Sequence, residues 1–178
     1  MNISCSVLLR LDITRKYDAM IQYKPPKSYA LTPRIFLAGS IEMGKAEPWQ
    51  DRLVDELIKQ DVVLFNPRRE DWDSSWVQDP TPGTKFHEQV MWELDHINKA
   101  DCVIFYFDPN TQSPITLLEL GYVIGSRKQA IVCCPDGYFR KGNVVITSNL
   151  IGLPVLNSFE ELSVQLQKWI IDFRTSKV

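Results

Sequence analysis

The stretch VIFYFDPNTQSPITLLELGYVIGSRKQAIVCC, residues 103–134, decides the fold class of this chain. It begins and ends with short apolar runs, which are typical of strands that are buried on both faces. Between them, Ser113 and Pro114 fit the N-cap and first turn of a helix that continues to Ser126. The stretch therefore predicts two parallel strands joined by a helix.

The same alternation extends to both sides of this stretch. Further strands are predicted at 35–38, 62–65 and 155–156, and further helices at 48–60, 85–100 and 158–173. This order predicts a doubly wound α/β fold, in which about five parallel strands carry helices on both faces. We expect residues 34–178 to form this domain and residues 1–33 to be an N-terminal extension.

Composition narrows the classes of function. The 178 residues suit one domain, and a formal net charge of -2 gives no support for binding a nucleic-acid polymer. The four cysteines and two histidines lack the spacing of a metal site, so we expect neither a metal nor another cofactor. No signal peptide or membrane-spanning stretch is evident, and we expect a cytoplasmic protein that does not bind membranes.

Two carboxylates stand among apolar residues. Glu119 is the only charge in the run 115–124, and Glu93 lies at the edge of the apolar stripe of the helix predicted at 85–100. A buried carboxylate either belongs to a structural polar network or takes part in chemistry, and Glu93 has the alternative of a salt bridge with Arg68 or Arg69. Two carboxyl groups at one cleft suit displacement at an anomeric carbon.

Loops that follow the predicted strands should meet at one edge of the sheet. Ser40 and Ser113 stand in two of these loops, where hydroxyl and N–H groups suit a phosphate, although simple N-capping is an alternative. The loop after Gly39 lacks the Gly-Lys-Ser/Thr ending of a phosphate loop, which argues against ATP chemistry of that kind.

Aromatic residues supply a further set of candidates. Trp72 and Trp76 fall in the long polar loop 68–84, and with Tyr106 they suit either stacking on a base or packing of the loop. The segment 140–143 looks like a solvated polar turn.

Several segments together resemble the nucleoside 2-deoxyribosyltransferase family, from about residue 34 to residue 156. The segments that carry the resemblance are Phe36–Ile41, Glu88–Leu94, Ala100–Ile104 and Glu119–Tyr122. The resemblance implies a flavodoxin-like domain, dimeric or larger, that cleaves the N-glycosidic bond of a 2'-deoxynucleoside.

The resemblance also implies roles for individual residues. Glu119 corresponds to the catalytic glutamate, which forms a covalent deoxyribosyl intermediate, and Glu93 to the acid on the base side, usually an aspartate. Gly39, Ser40 and Ile41 fall in the substrate-binding loop. Asn143 corresponds to a residue supplied across the subunit interface, so a homodimer or higher homo-oligomer is expected.

Two positions depart from the family pattern. Phe36 stands where the family has a tyrosine that positions the nucleophile, so either Tyr106 or Tyr122 orients Glu119 or the activity is weakened. Ser113 stands where transferases of free nucleosides have an aspartate that holds the 5'-hydroxyl. A serine there favours a 5'-phosphate, and in this respect the chain resembles the 2'-deoxynucleoside 5'-phosphate N-hydrolases.

The sequence leaves three functions open. The leading one is an enzyme that transfers the sugar of a nucleoside or nucleotide to another base. The alternatives are an N-glycosidase that transfers the sugar of a 5'-monophosphate to water, and a non-catalytic module that binds or senses a nucleotide.

Overall fold

The computed structural model of the protein describes residues 32–41, 46–68 and 77–177. The predicted N-terminal extension lies outside these residues, apart from its last two positions. The predicted contacts of Trp72 and Trp76 lie outside them as well. Both expectations therefore stay predictions.

A five-stranded parallel sheet forms the centre of the molecule, with the strand order β2-β1-β3-β4-β5. The strands are β1 (Arg34–Gly39), β2 (Val63–Phe65), β3 (Cys102–Tyr106), β4 (Ala130–Cys133) and β5 (Val155–Leu156). In the central register, Leu37 pairs with Ile104 and Ile104 with Ile131. The predicted doubly wound α/β fold is confirmed.

Five helices connect and cover the strands. They are α1 (Trp49–Leu57), α2 (Lys85–Lys99), α3 (Pro114–Gly125), α4 (Lys141–Asn149) and α5 (Phe159–Thr175). All the predicted strands and helices in the described residues are present, with ends that differ by at most three residues. The prediction for segment 140–143 is wrong, because it begins α4 instead of forming a turn.

The helices divide into two layers because side chains alternate along each strand. One core lies under α1 and α5, and the other under α2, α3 and α4. Neighbouring residues therefore enter different cores, as Phe36 and Leu37 do in β1 and Cys133 and Cys134 do at the end of β4.

The strand order also fixes the position of a crevice. From β1 the chain first adds β2 on one side, and it later adds β3, β4 and β5 on the other. The direction of winding thus reverses between β1 and β3. In sheets of this kind, ligands bind beyond the carboxyl ends of the two strands that flank such a reversal. The segments that follow Gly39 and Tyr106 lie at that edge.

Candidate functional site

Three buried hydroxyl groups meet at the carboxyl ends of β1 and β3. Ser40 Oγ lies 2.5 Å from Ser113 Oγ, and Thr111 Oγ1 lies 2.7 Å and 2.8 Å from these two atoms. Each of the three residues is at most 5% exposed. The predicted proximity of Ser40 and Ser113 is therefore observed. Thr111 was missed, although its hydroxyl, two residues before Ser113 in a loop after a strand, was a signal for it.

Backbone groups of the loop after β3 complete this hydroxyl cluster. The N–H of Asp108 donates to Ser40 Oγ at 2.9 Å, and Thr111 Oγ1 lies 2.9 Å from the Asp108 carbonyl oxygen. The Asp108 carboxylate accepts from the N–H groups of Glu47 and Asn110. The loop is thus held in one conformation by hydrogen bonds in its own backbone and side chains.

Ser113 occupies the N-cap position of α3, as predicted, but its side chain does not cap the helix. Its backbone is left-handed, with φ 47° and ψ 53°, and the side chain makes no capping hydrogen bond. The hydroxyl joins Ser40 and Thr111 instead. Ser113 is therefore the N-cap residue of α3, as predicted, but the interpretation that its hydroxyl caps the helix is wrong.

Close packing gives Gly39 its place in the site. A Cβ atom on Gly39 would lie 2.5 Å from Cζ2 of Trp49 and 2.6 Å from the carbonyl oxygen of Tyr106. The Trp49 indole N–H donates to the Ser40 carbonyl oxygen at 3.1 Å, so the ring is fixed. Ile41, which is half-buried, ends this described segment.

The two candidate carboxyl groups lie along the seam between α2 and α3. Burial raises the pKa of Glu119 to about 8, and the charge of Glu93 on α2 adds to the effect. Burial also raises the pKa of Glu93, while a hydrogen bond from Gln89 acts in the opposite direction. The charge of Glu93 thus acts on Glu119 across the two helices.

Gln89 is the hydrogen-bond partner of Glu93. Its Nε2 donates to Glu93 Oε1 at 2.8 Å and to the Pro67 carbonyl oxygen at 3.2 Å. No ion pair joins Glu93 to Arg68, both of which the structure describes, and Arg69 lies outside the described residues. Of the alternatives for Glu93, the salt bridge with Arg68 is therefore not observed.

Neither tyrosine considered as an orienting group for Glu119 is available for that role. Tyr106 lies in the core on the opposite face of the sheet, and its hydroxyl donates to Glu47 Oε1 at 2.6 Å. The Tyr122 hydroxyl donates to Asn98 Oδ1 on α2 at 2.8 Å. Both predictions of an orienting tyrosine are wrong. The predicted base stacking by Tyr106 is wrong for the same reason.

Phe36 is fully buried beneath α2. Its ring centre lies 6.2 Å from that of Trp92, in the core that also contains the inner side of α3. The phenyl ring thus adds apolar surface to the layer that holds both carboxyl groups. This surrounding favours the neutral form of a carboxyl group.

Asn143 lies on the other side of α3 from Glu119. It is exposed on the first turn of α4 and lines a groove of about 330 Å³ together with Gly121 and Arg140. Gly121 follows Glu119 by two residues, which corresponds to about 200° around a helix. One chain therefore does not bring Asn143 to its own Glu119.

The described ranges contain no cluster of three or more residues suited to hold a metal ion. Within the same part of the chain, no helix is long and apolar enough to cross a membrane.

These features define a doubly wound α/β protein with two half-buried carboxyl groups, on α2 and α3, and a hydroxyl cluster at the point where the winding reverses. A family model described as "Nucleoside 2-deoxyribosyltransferase like" matches residues 32–138, which is more than half of the chain. The chain belongs to this nucleoside 2-deoxyribosyltransferase-like family. The matched region includes Phe36, Ser40, Glu93, Ser113 and Glu119 but ends before α4.

A solved structure supports the fold independently. The crystal structure of a conserved protein from Enterococcus faecalis V583 superposes with a TM-score of 0.56 at 15% sequence identity. The similarity covers 77% of this chain and 98% of the other. No curated protein matches the chain.

Proposed function

We propose that the protein cleaves the N-glycosidic bond of a 2'-deoxynucleoside or its 5'-phosphate and transfers the sugar to a base. The observation that carries this proposal is the pair of half-buried carboxyl groups, Glu119 and Glu93, both of which have raised pKa values. Perturbed pairs of this kind are characteristic of sites of acid–base and nucleophilic chemistry. Membership in the family supports glycosyl transfer or hydrolysis as the class of reaction.

The two carboxyl groups divide the reaction between them. Ionised Glu119 attacks the anomeric carbon and forms an ester with the sugar. The bond to the base breaks, the base keeps the electron pair, and protonated Glu93 supplies a proton to it. In the second step the Glu93 carboxylate takes the N–H proton of an acceptor base, the base nitrogen attacks the same carbon, the ester bond breaks, and the Glu119 carboxylate is released.

The hydroxyl cluster is the proposed site for the 5' end of the substrate. Ser113 stands at the N-terminus of α3, six residues before Glu119, which corresponds to a helical rise of about 9 Å. The positive end of the helix and the hydroxyls of Ser40 and Ser113 favour an anion. On this proposal, Ser113→Asp removes a preference for 5'-monophosphates, and an unchanged preference would exclude the phosphate role.

Chromatography of base release tests the activity. The purified protein is incubated with the common 2'-deoxynucleosides and their 5'-monophosphates, with and without an acceptor base. Free base should form with wild type, and Glu119→Gln should abolish its formation, while Glu88→Gln on the exposed side of α2 serves as a matched control. Release that needs no acceptor supports the second candidate, an N-glycosidase that transfers the sugar to water.

Phe36 favours another candidate, a module that binds a nucleotide without cleaving it. Its ring provides no hydroxyl for Glu119, whose pKa of about 8 corresponds to a mostly protonated carboxyl group at neutral pH. Thermal stabilisation by a nucleotide, without base release from any substrate in the panel, would support this function over the enzyme.

A homodimer is the proposed assembly, with the outer side of α3 at its centre. Ile115, Leu118 and Tyr122 are 58%, 71% and 42% exposed, and α3 has no charged residue on that side. Glycines at positions 121 and 125 leave open space where a second helix can approach closely. In such a dimer, Asn143 of one protomer would complete the site that contains Glu119 of the other.

Subunit mixing tests this arrangement. Glu119→Gln and Asn143→Ala should each be inactive, and mixed dimers of the two should regain activity because one site then has both residues. A wild-type protein that is monomeric by light scattering would exclude the arrangement, as would mixtures that remain inactive.

A further inference from the structure

Gln89, which the sequence did not single out, contacts the proposed acid Glu93 directly. It stands one turn before Glu93 on α2 and is only 7% exposed. Its Nε2 has two hydrogen atoms, which match its two acceptors, Glu93 Oε1 at 2.8 Å and the Pro67 carbonyl oxygen at 3.2 Å. Pro67 follows the end of β2 by two residues. One amide group thus joins the candidate acid to the edge of the sheet.

We propose that Gln89 is a positioning residue, which fixes the Glu93 carboxyl group and makes it release its proton to the departing base more readily. This inference rests on the proposed function, in which Glu93 protonates the departing base. The amide cannot turn away from Glu93 without also breaking its bond to Pro67. An N–H donor is therefore always directed at the Glu93 carboxyl group.

A donated hydrogen bond stabilises an ionised carboxylate more than a neutral carboxyl group. Burial favours the neutral form of Glu93, and Gln89 opposes this effect. Of the charged and titratable groups in the described ranges, Glu119 on α3 is the one whose pKa responds to Glu93.

The hydrogen bond from Gln89 makes Glu93 a stronger acid than burial alone would leave it, which suits the transfer of a proton to a departing base. Without this hydrogen bond, Glu93 would hold its proton more tightly, and its carboxyl group would be free to rotate.

Gln89→Met tests the inference, because it removes the donor and approximately keeps the volume. Carboxyl titration by NMR with labelled glutamate, assigned by comparison with Glu93→Gln, follows Glu93 directly. We expect the titration midpoint of Glu93 to move upward. In base release, we expect kcat to fall by about tenfold with KM changed less than about twofold, and the basic limb of the pH profile, which reports protonated Glu93, to move upward.

Gln89→Glu provides a second variant with a different signature. Its carboxyl group can donate to Glu93 only when it is protonated, so base release should approach the wild-type rate at low pH and fall steeply at higher pH. Asp95→Asn is the matched control. It removes the exposed ion pair between Asp95 and Lys99, which, like the contact of Gln89 with Glu93, joins residues four apart on α2. It should leave the titration of Glu93 unchanged.

The two readouts separate this inference from the proposed function. If wild type releases no base, the proposed function fails, while the NMR titration still tests Gln89. If Glu93 titrates identically in wild type and in folded Gln89→Met, the inference is overturned even when base release is robust. If Gln89→Met does not fold, a pH profile of Gln89→Glu that parallels wild type overturns it.

Discussion

Replacing the proposed nucleophile should make the protein more stable. Glu119 has an ordinary pKa of 4.5, and burial and Glu93 raise it to about 8 in the folded protein. Between these two values the unfolded chain has released a proton that the folded protein still holds. Wild-type stability therefore falls as pH rises from about 4.5 to about 8 and levels off above that range.

The size of the effect follows from the interval between the two pKa values. Each pKa unit corresponds to 1.36 kcal/mol. The raised pKa of Glu119 therefore lowers the free energy of unfolding by about 3 kcal/mol at pH 7 and by about 5 kcal/mol above pH 8. Glu119→Gln has no proton to lose in this range. We expect its melting temperature at neutral pH to be about 6–12 °C above that of wild type.

Urea unfolding of both proteins at a series of pH values provides the assay. The difference in free energy of unfolding should be small near pH 5 and should widen steadily toward pH 8. Glu88→Gln, which replaces an exposed carboxylate on α2, is the control and should parallel wild type. A constant difference between Glu119→Gln and wild type across this range would refute the reasoning, because it would mean that Glu119 titrates normally.

Three further substitutions test other contacts. Gly39→Ala should lower the free energy of unfolding by about 3 kcal/mol, because the new Cβ would meet the Trp49 ring at 2.5 Å and a β3 carbonyl oxygen at 2.6 Å; thermal melting measures this. Glu93→Gln should lower the pKa of Glu119, so the pH-dependent loss of stability should end at a lower pH in urea unfolding. Asp101→Asn should lower the free energy of unfolding by about 1 kcal/mol near neutral pH. Burial raises the pKa of Asp101, but hydrogen bonds from Arg34, the first residue of β1, outweigh burial and lower it. The stabilising contribution of Asp101 should therefore disappear as pH falls through the acid range.

Each of these expectations has a contrary outcome. Gly142→Ala is the control for Gly39→Ala, because no atom lies within 4 Å of the new Cβ, and it should leave stability unchanged or raise it. Equal melting temperatures of Gly39→Ala and wild type would show that the close contacts at Gly39 are relieved by small shifts. An unchanged pH profile in Glu93→Gln would mean that Glu93 does not act on Glu119. A cost of Asp101→Asn that is equal at about pH 3 and about pH 7 would assign it to packing instead of charge.

Most of the fold was predictable because local patterns and tertiary packing agree. The strands are uniformly apolar because helices cover both faces, and the turns between them have ordinary signals. Helix α4 is the exception, since Gly142, Asn143 and the β-branched residues at 144–147 are poor helix formers. Its helical structure depends on packing, through buried Val144 and Ser148, and propensity alone does not reveal that.

The site was predictable where it depends on helix spacing and not where it depends on side-chain direction. Glu93 was singled out at the edge of an apolar helix stripe and Glu119 as the only charge in an apolar run, and both have raised pKa values. The orienting tyrosines were wrong because hydrogen bonds to Glu47 and Asn98 direct their hydroxyls elsewhere. Gln89 was overlooked because an amide next to a candidate acid has no distinctive sequence signal.

The left-handed backbone of Ser113 limits which side chains can replace it. Few residues other than glycine adopt a φ of 47° readily, and asparagine and aspartate are prominent among those that do. Ser113→Asp is therefore tolerated by the main chain, whereas a β-branched residue such as valine is not. Ser113→Asp therefore tests the proposed preference for a phosphate without straining the main chain, and its effects arise from the added charge and from the lost hydroxyl contacts with Ser40 and Thr111.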